Sequence, residues 1–225
     1  EMYSKLLAIK DGIETDVLFE NMANKKIIGI GGGFSAGKSS FVNAILSSPT
    51  DILPTDTRPT TSIPTYIIGG KDDISIYSNN LFGEKTAISK DALLAISHEF
   101  YRVFKLSLNS IIKKISIETK YMKLRHVAFL DTPGYTKNDN ALKNDNTDEQ
   151  SAKMHLANSD SLIWIIDIEQ GTVPKNDINF LTSVAGEKPV FIIFNKADKK
   201  PVSEIENILN KAKTLLETKS INVKD

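Results

Sequence analysis

The run Gly32-Gly33-Phe34-Ser35-Ala36-Gly37-Lys38-Ser39 constrains this chain more than any other feature. It satisfies the spacing G-x-x-x-x-G-K-[ST], follows the β-branched stretch from Lys26 to Ile30 and opens a stretch with helical spacing from Lys38 to Ser47. Five of the twelve glycines fall between Gly29 and Gly37, which marks a specialised loop rather than scattered turns. Such a strand, loop and helix wraps phosphate groups with backbone N–H donors and adds the positive end of the helix. Lys38 then reaches the terminal phosphates and the Ser39 hydroxyl is left for Mg²⁺. The expected phosphate-contacting residues are Gly32, Gly33, Phe34, Ser35, Ala36, Gly37, Lys38, Ser39 and Ser40.

Two further segments gain meaning from this loop. Asp131-Thr132-Pro133-Gly134 ends the apolar stretch Val127 to Leu130, so Asp131 can hold a Mg²⁺-bound water and the Gly134 N–H can meet a γ-phosphate. Taken alone, the same four residues read equally well as a turn. Asn195-Lys196-Ala197-Asp198 follows the apolar stretch Val190 to Phe194. A carboxylate at Asp198 accepts the two donors on the N1 and N2 edge of guanine and repels the acceptor edge of adenine. Lys196 can lay its stem over the base, and Asn195 can tie this loop to the phosphate loop.

The remaining pattern alternates strands and helices. Strands are expected at Lys26 to Ile30, Ile111 to Tyr121, Val127 to Leu130, Leu162 to Ile166 and Val190 to Phe194, and a hairpin at Tyr66 to Ile68 with Ile74 to Tyr77. Helical spacing marks Met2 to Met22, Ser89 to Phe104 and a last helix opened by a Ser203/Glu206 capping box. Ser48 to Pro64, with its four prolines, reads as a loop, and the polar stretch Asn138 to Glu149 as mobile. The expected fold class is α/β, a mostly parallel sheet with helices on both faces.

Composition removes several function classes. Lys+Arg and Asp+Glu both number 28, which argues against general electrostatic capture of nucleic acid, so no nucleic-acid partner is expected. The absence of cysteine excludes thiol catalysis and Cys-ligated zinc. His98, His126 and His155 lie far apart, and none is assigned to a metal.

The order of the three motifs, with Thr60-Thr61 in the proline-rich loop, resembles the translation-factor class of P-loop GTPases. More closely, the residues Gly33 to Leu46, then Leu53-Pro54-Thr55 and Arg58-Pro59-Thr60-Thr61, resemble the bacterial dynamin-like proteins, a likeness spanning about Lys26 to Asp198. The resemblance implies GTP as substrate, GDP as product and Mg²⁺ as cofactor. It implies Ser35, Lys38, Thr61 and Gly134 as catalytic residues, with Thr60 as the alternative switch threonine. Ser39, Thr61 and Asp131 become the metal ligands, and Asn195, Lys196 and Asp198 the guanine readers. Phe34 stands where eukaryotic dynamins carry a glutamine that orients water, and Tyr135 replaces the glutamine of Ras-like proteins, so intrinsic hydrolysis is expected to be slow without dimerisation. Arg58 is either a source of positive charge near the phosphates or an ordinary surface arginine.

By the same resemblance, residues 1–24 form a helix of a neighbouring bundle or one packed on the domain's flank. Residues 25–225 form a dynamin-type GTPase domain that stops before its final strand and base loop, with an insertion at about 71–120. The insertion's helix is either extra core or a partner surface. The implied partners are a second GTPase domain and membrane lipid reached through other regions, in a cytoplasmic protein or one peripheral at a membrane. Two other functions stay open: a GTP-dependent binding switch with negligible turnover, and an Era-like ribosome-associated GTPase.

Overall fold

The computed structural model describes residues 22, 24–33, 35–55, 63–80, 84–95, 112–132 and 145–224, with backbone only at 94, 95, 145–149 and 151. Among the described residues nine strands make a mixed sheet, and the chain divides into two compact units, residues 1–27 with 39–133 and residues 28–38 with 134–225.

In the first unit β2 (Thr65–Gly69), β3 (Ser75–Asn80), β4 (Lys85–Ile88), β5 (Ile112–Thr119) and β6 (Val127–Asp131) lie in the order β4-β3-β5-β2-β6. The expected hairpin of Tyr66–Ile68 with Ile74–Tyr77 does not form. β5 separates its two arms, parallel to β2 through Ile67↔Ile117 and antiparallel to β3 through Ile76↔Ile117. Lys114, Ile115, Ser116 and Ile117 of β5 are all buried, so both faces of the strand are covered, and its edge N–H and C=O groups are met by β2 on one side and β3 on the other, as an interior strand requires. Met22, Tyr66, Ile68, Ala128 and Leu130 form a core cluster here. Helices α1 (Lys38–Leu46) and α2 (Lys90–Ala95) cover the described part of two predicted helices. On α1, Asn43 clamps the following loop, its amide donating to Leu53 O at 2.9 Å and accepting from the Ile52 and Leu53 N–H groups.

The second unit is parallel throughout. From its share of β1 (Lys26–Gly32) it runs to β7 (Ser161–Asp167), β8 (Val190–Asn195) and β9 (Val223–Lys224), with helices α3 (Asp145–Ala157), α4 (Lys175–Val184) and α5 (Val202–Glu217) between them. Continuous apolar runs such as Leu162 to Ile166 suit strands covered on both faces. Trp164, fully buried, packs on Phe180 with ring centroids 5.4 Å apart and donates from Nε1 to Asp177 Oδ2 at 2.7 Å.

Two expectations change in this unit. The stretch read as mobile, Asn138 to Glu149, enters α3 from Asp145 onward, because the next turns bring the buried Ala152 and Leu156 into the core. The capping box at Ser203 is not made, since Pro201 takes the N-cap with φ −61 and ψ 146 and the helix has already begun at Val202. β9 is only two residues long and pairs in parallel with β8 through Val190↔Val223 and Phe191↔Lys224. The helix expected over Met2 to Met22 lies outside the described residues, apart from Met22.

Candidate nucleotide site

Parallel α/β sheets bind ligands at the carboxyl ends of their strands. In the second unit, register sets three such ends side by side: Gly32 of β1 pairs with Ile165 of β7, and Asp167 of β7 pairs with Asn195 of β8.

The phosphate loop keeps its shape for reasons visible at two of its three glycines, Gly32 and Gly37. Gly32 has φ 140, and a Cβ there would lie 2.2 Å from Ile165 O. Gly37 has φ 96, and a Cβ there would lie 2.2 Å from Asn195 Nδ2. A side chain at Gly32 would strike backbone, and one at Gly37 would sit in a strained left-handed conformation and push the Asn195 amide aside, so the glycine that closes the loop also makes room for the guanine motif. Between them Ser35 is exposed with φ 56, and the buried Ala36 donates its N–H to Gly33 O at 3.3 Å. Lys38, at the start of α1, holds its ammonium 3.2 and 3.1 Å from the carbonyl oxygens of Gly32 and Gly33.

The Asn195–Asp198 segment is tied to this loop twice. Asn195 Nδ2 donates to Ala36 O at 2.9 Å and Lys196 Nζ donates to Ser35 O at 3.0 Å. Asp198 sits exposed in the short turn Ala197–Lys199.

In the first unit Ser39 Oγ donates to Asp131 Oδ2 at 3.4 Å, and Asp131 is fully buried at the end of β6. A hydroxyl and a carboxylate are hard oxygen donors of the kind Mg²⁺ takes, usually with several waters retained, so these two residues fit the metal. Ser40 is exposed on α1. Phe34, Arg58, Thr60, Thr61, Gly134 and Tyr135 lie outside the described residues.

Sequence reasoning missed Asp167. Its Oδ2 accepts from Lys196 Nζ at 2.6 Å and its Oδ1 from the Glu169 N–H at 3.0 Å. Burial works against its charged form, but the Lys196 ammonium, the Glu169 N–H and Lys199 together outweigh it and hold the carboxyl below its ordinary pKa. The available signal was an acidic residue ending an apolar strand, as Asp131 does.

A family model described as "Dynamin family" matches residues 28–197. The chain belongs to the dynamin family. This dynamin-family GTPase domain is 29% identical over 198 residues to dynamin-like protein 2 of Campylobacter jejuni subsp. jejuni serotype O:23/36 (strain 81-176), covering 84% of the present chain and 28% of that protein. The chain thus spans less than a third of the curated relative it matches. Among solved structures it resembles a member of an oligomerised bacterial dynamin pair described as sensing and tethering membranes, with TM-score 0.60, 23% identity and coverage of 94% of this chain and 33% of that one. It also resembles Aquifex aeolicus Era bound to GDP and aluminium fluoride, with TM-score 0.52, 16% identity and coverage of 89% and 50%. At these identities the structures speak for the fold. No described helix of this dynamin-family chain is long and apolar enough to cross a membrane.

Proposed function

We propose that this chain binds and hydrolyses GTP with Mg²⁺ as the nucleotide-driven domain of a dynamin-like protein, that two such domains associate when loaded, and that membrane remodelling is carried out through helical regions outside this chain. The observation that carries the reading is the double tie of Asn195 to Ala36 and Lys196 to Ser35, which couples a base-reading segment to a phosphate-binding loop.

Each residue then has a physical role. Lys38 exchanges the Gly32 and Gly33 carbonyls for phosphate oxygens, which bind an ammonium more strongly because they are charged. Loop N–H groups from Gly33 to Ser39 neutralise the remaining phosphate charge. Asp198 accepts the guanine N1 and N2 donors, and adenine leaves that carboxylate facing an acceptor. Ser39 and Asp131 would hold Mg²⁺, which when bound would neutralise charge on the transferred phosphoryl group. Thr61 and Gly134 are assigned to the switches, and Ser35 to ordering the phosphate loop. Phe34 and Tyr135 stand where related GTPases carry a water-orienting glutamine, so efficient turnover draws on the partner domain or on ordered switches. A cytoplasmic protein, peripheral at a membrane, fits this cycle.

The test is GTP turnover per molecule over a wide range of protein concentration, with parallel binding of GTP and ATP. Specific activity that climbs with concentration supports catalysis in the associated form. Flat, near-zero turnover with tight GTP binding would instead make the chain a binding switch. Equal affinity for GTP and ATP, or unchanged binding by Lys38→Ala, would refute the site assignment.

A further inference from the structure

Lys196 and Ser35 both occupy the left-handed region, with φ 60 and φ 56, and the Lys196 Nζ to Ser35 O hydrogen bond of 3.0 Å joins them. Side chains with a Cβ avoid this region, and such turns persist where surrounding contacts hold them. The same ammonium lies 2.6 Å from Asp167 Oδ2, so one cation bridges the end of β7 and the phosphate loop. Asp167 is itself fixed. It is the register partner of Asn195, and it caps the turn Ile168–Gln170 by accepting the Glu169 N–H. Its ion pair with Lys196 is partly shielded, with side chains 18% and 33% exposed. A second pair between the same two turns, Glu169 with Lys199, is 52% and 43% exposed, in the regime where ion pairs contribute little.

The geometry points to Asp167 as a positioning residue for guanine nucleotide, holding the Lys196 ammonium so that the base-reading turn and the phosphate loop keep one registration. The inference rests on the GTP-binding reading of this site. Asp167 touches no part of the nucleotide in this role. It acts through Lys196, and its loss is felt as looser coupling of the two loops.

The experiment is a GDP titration of the chain at fixed Mg²⁺ for four proteins: the parent, Asp167→Asn, Lys196→Ala and the double variant. Asparagine removes the charge and keeps an acceptor for the Glu169 N–H. Asp167→Asn is expected to weaken GDP binding about tenfold, and the double variant to be no more than about twofold weaker than Lys196→Ala alone, as for two residues acting as one unit. Glu169→Gln is expected to stay within about twofold of the parent. The inference is overturned if Asp167→Asn binds GDP like the parent, or if the two losses multiply in the double variant. A lowered Tm with unchanged GDP affinity would likewise assign Asp167 to stability alone. Should Asp167→Asn yield no folded protein, Asp167→Glu takes its place in the same cycle, where coupling to Lys196→Ala supports the inference and multiplication overturns it. A parent chain that fails to prefer GDP over ADP refutes the GTP-binding reading and this inference with it, whereas GDP preference with an uncoupled cycle refutes this inference alone.

Discussion

In the second unit, buried or half-buried polar groups meet partners, whereas in the first a row of them is folded inward on different terms. Trp164 Nε1 finds Asp177, and Lys188 gives its ammonium to the carbonyls of Leu156, Ala157 and Val184, at the ends of α3 and α4. On β3 and β5 of the first unit, Asn79 pairs in register with the fully buried Lys114. Neither polar atom of the Asn79 side chain has a hydrogen-bond partner among the described residues, and neither does Ser116 Oγ. The unit carrying the phosphate loop and the guanine motif has its polar groups closely matched. The strands added beside β2 carry polar residues on a face that the fold nonetheless buries.

That contrast can be broken at its strongest point first. Gly37→Ala forces a Cβ toward Asn195 in a left-handed backbone, and GTP affinity is expected to fall about 100-fold, some 2.7 kcal/mol, by fluorescence titration. Asp177→Ala leaves the Trp164 N–H buried without its acceptor and is expected to cost about 2 kcal/mol in denaturant unfolding. Asn79→Leu tests the other unit with the opposite sign: replacing an unmatched buried amide by an apolar group of similar size is expected to stabilise by about 1 kcal/mol, and a loss would mean the amide is matched after all.

The smallest effect is the pH dependence of Asp167. Its pKa in the folded chain lies below the ordinary 3.8, so the unfolded chain binds the proton first as pH falls. The stabilisation is fully present above the unfolded value and disappears as pH drops through the folded one. The stability difference between the parent and Asp167→Asn should therefore be flat near neutral pH and shrink below 3.8.

Legibility in the sequence followed the range of the interactions. The phosphate loop, α1, β1, β7 and β8 are set by local spacing, and each was readable from a dozen residues at most. Asn195 was readable as a tie to the phosphate loop because the motif has a fixed chemistry, but the collision that a side chain at Gly37 would make was not, since its partner lies far along the chain. The Tyr66 to Tyr77 hairpin misled because two strands close in sequence look alike whether they pair or admit a third between them. β5, which does separate them, shows its two-sided burial only once both neighbours are known. At the last helix Ser203 and Glu206 had the right spacing, but the N-cap falls two residues earlier, at Pro201. Asp167 and Lys188 escaped notice because each acts on groups brought near only by folding.

The chain holds a single tryptophan, and its ring lies where a Cβ on Gly31 would come within 2.3 Å. Trp164 thus rests on the strand residue immediately before the phosphate loop begins, shielded from solvent and hydrogen-bonded at its nitrogen. Its intrinsic emission is a native optical label for that strand. Nucleotide arrival that shifts β1 or the residues after it should change the colour or intensity of one fluorophore, without any dye attached.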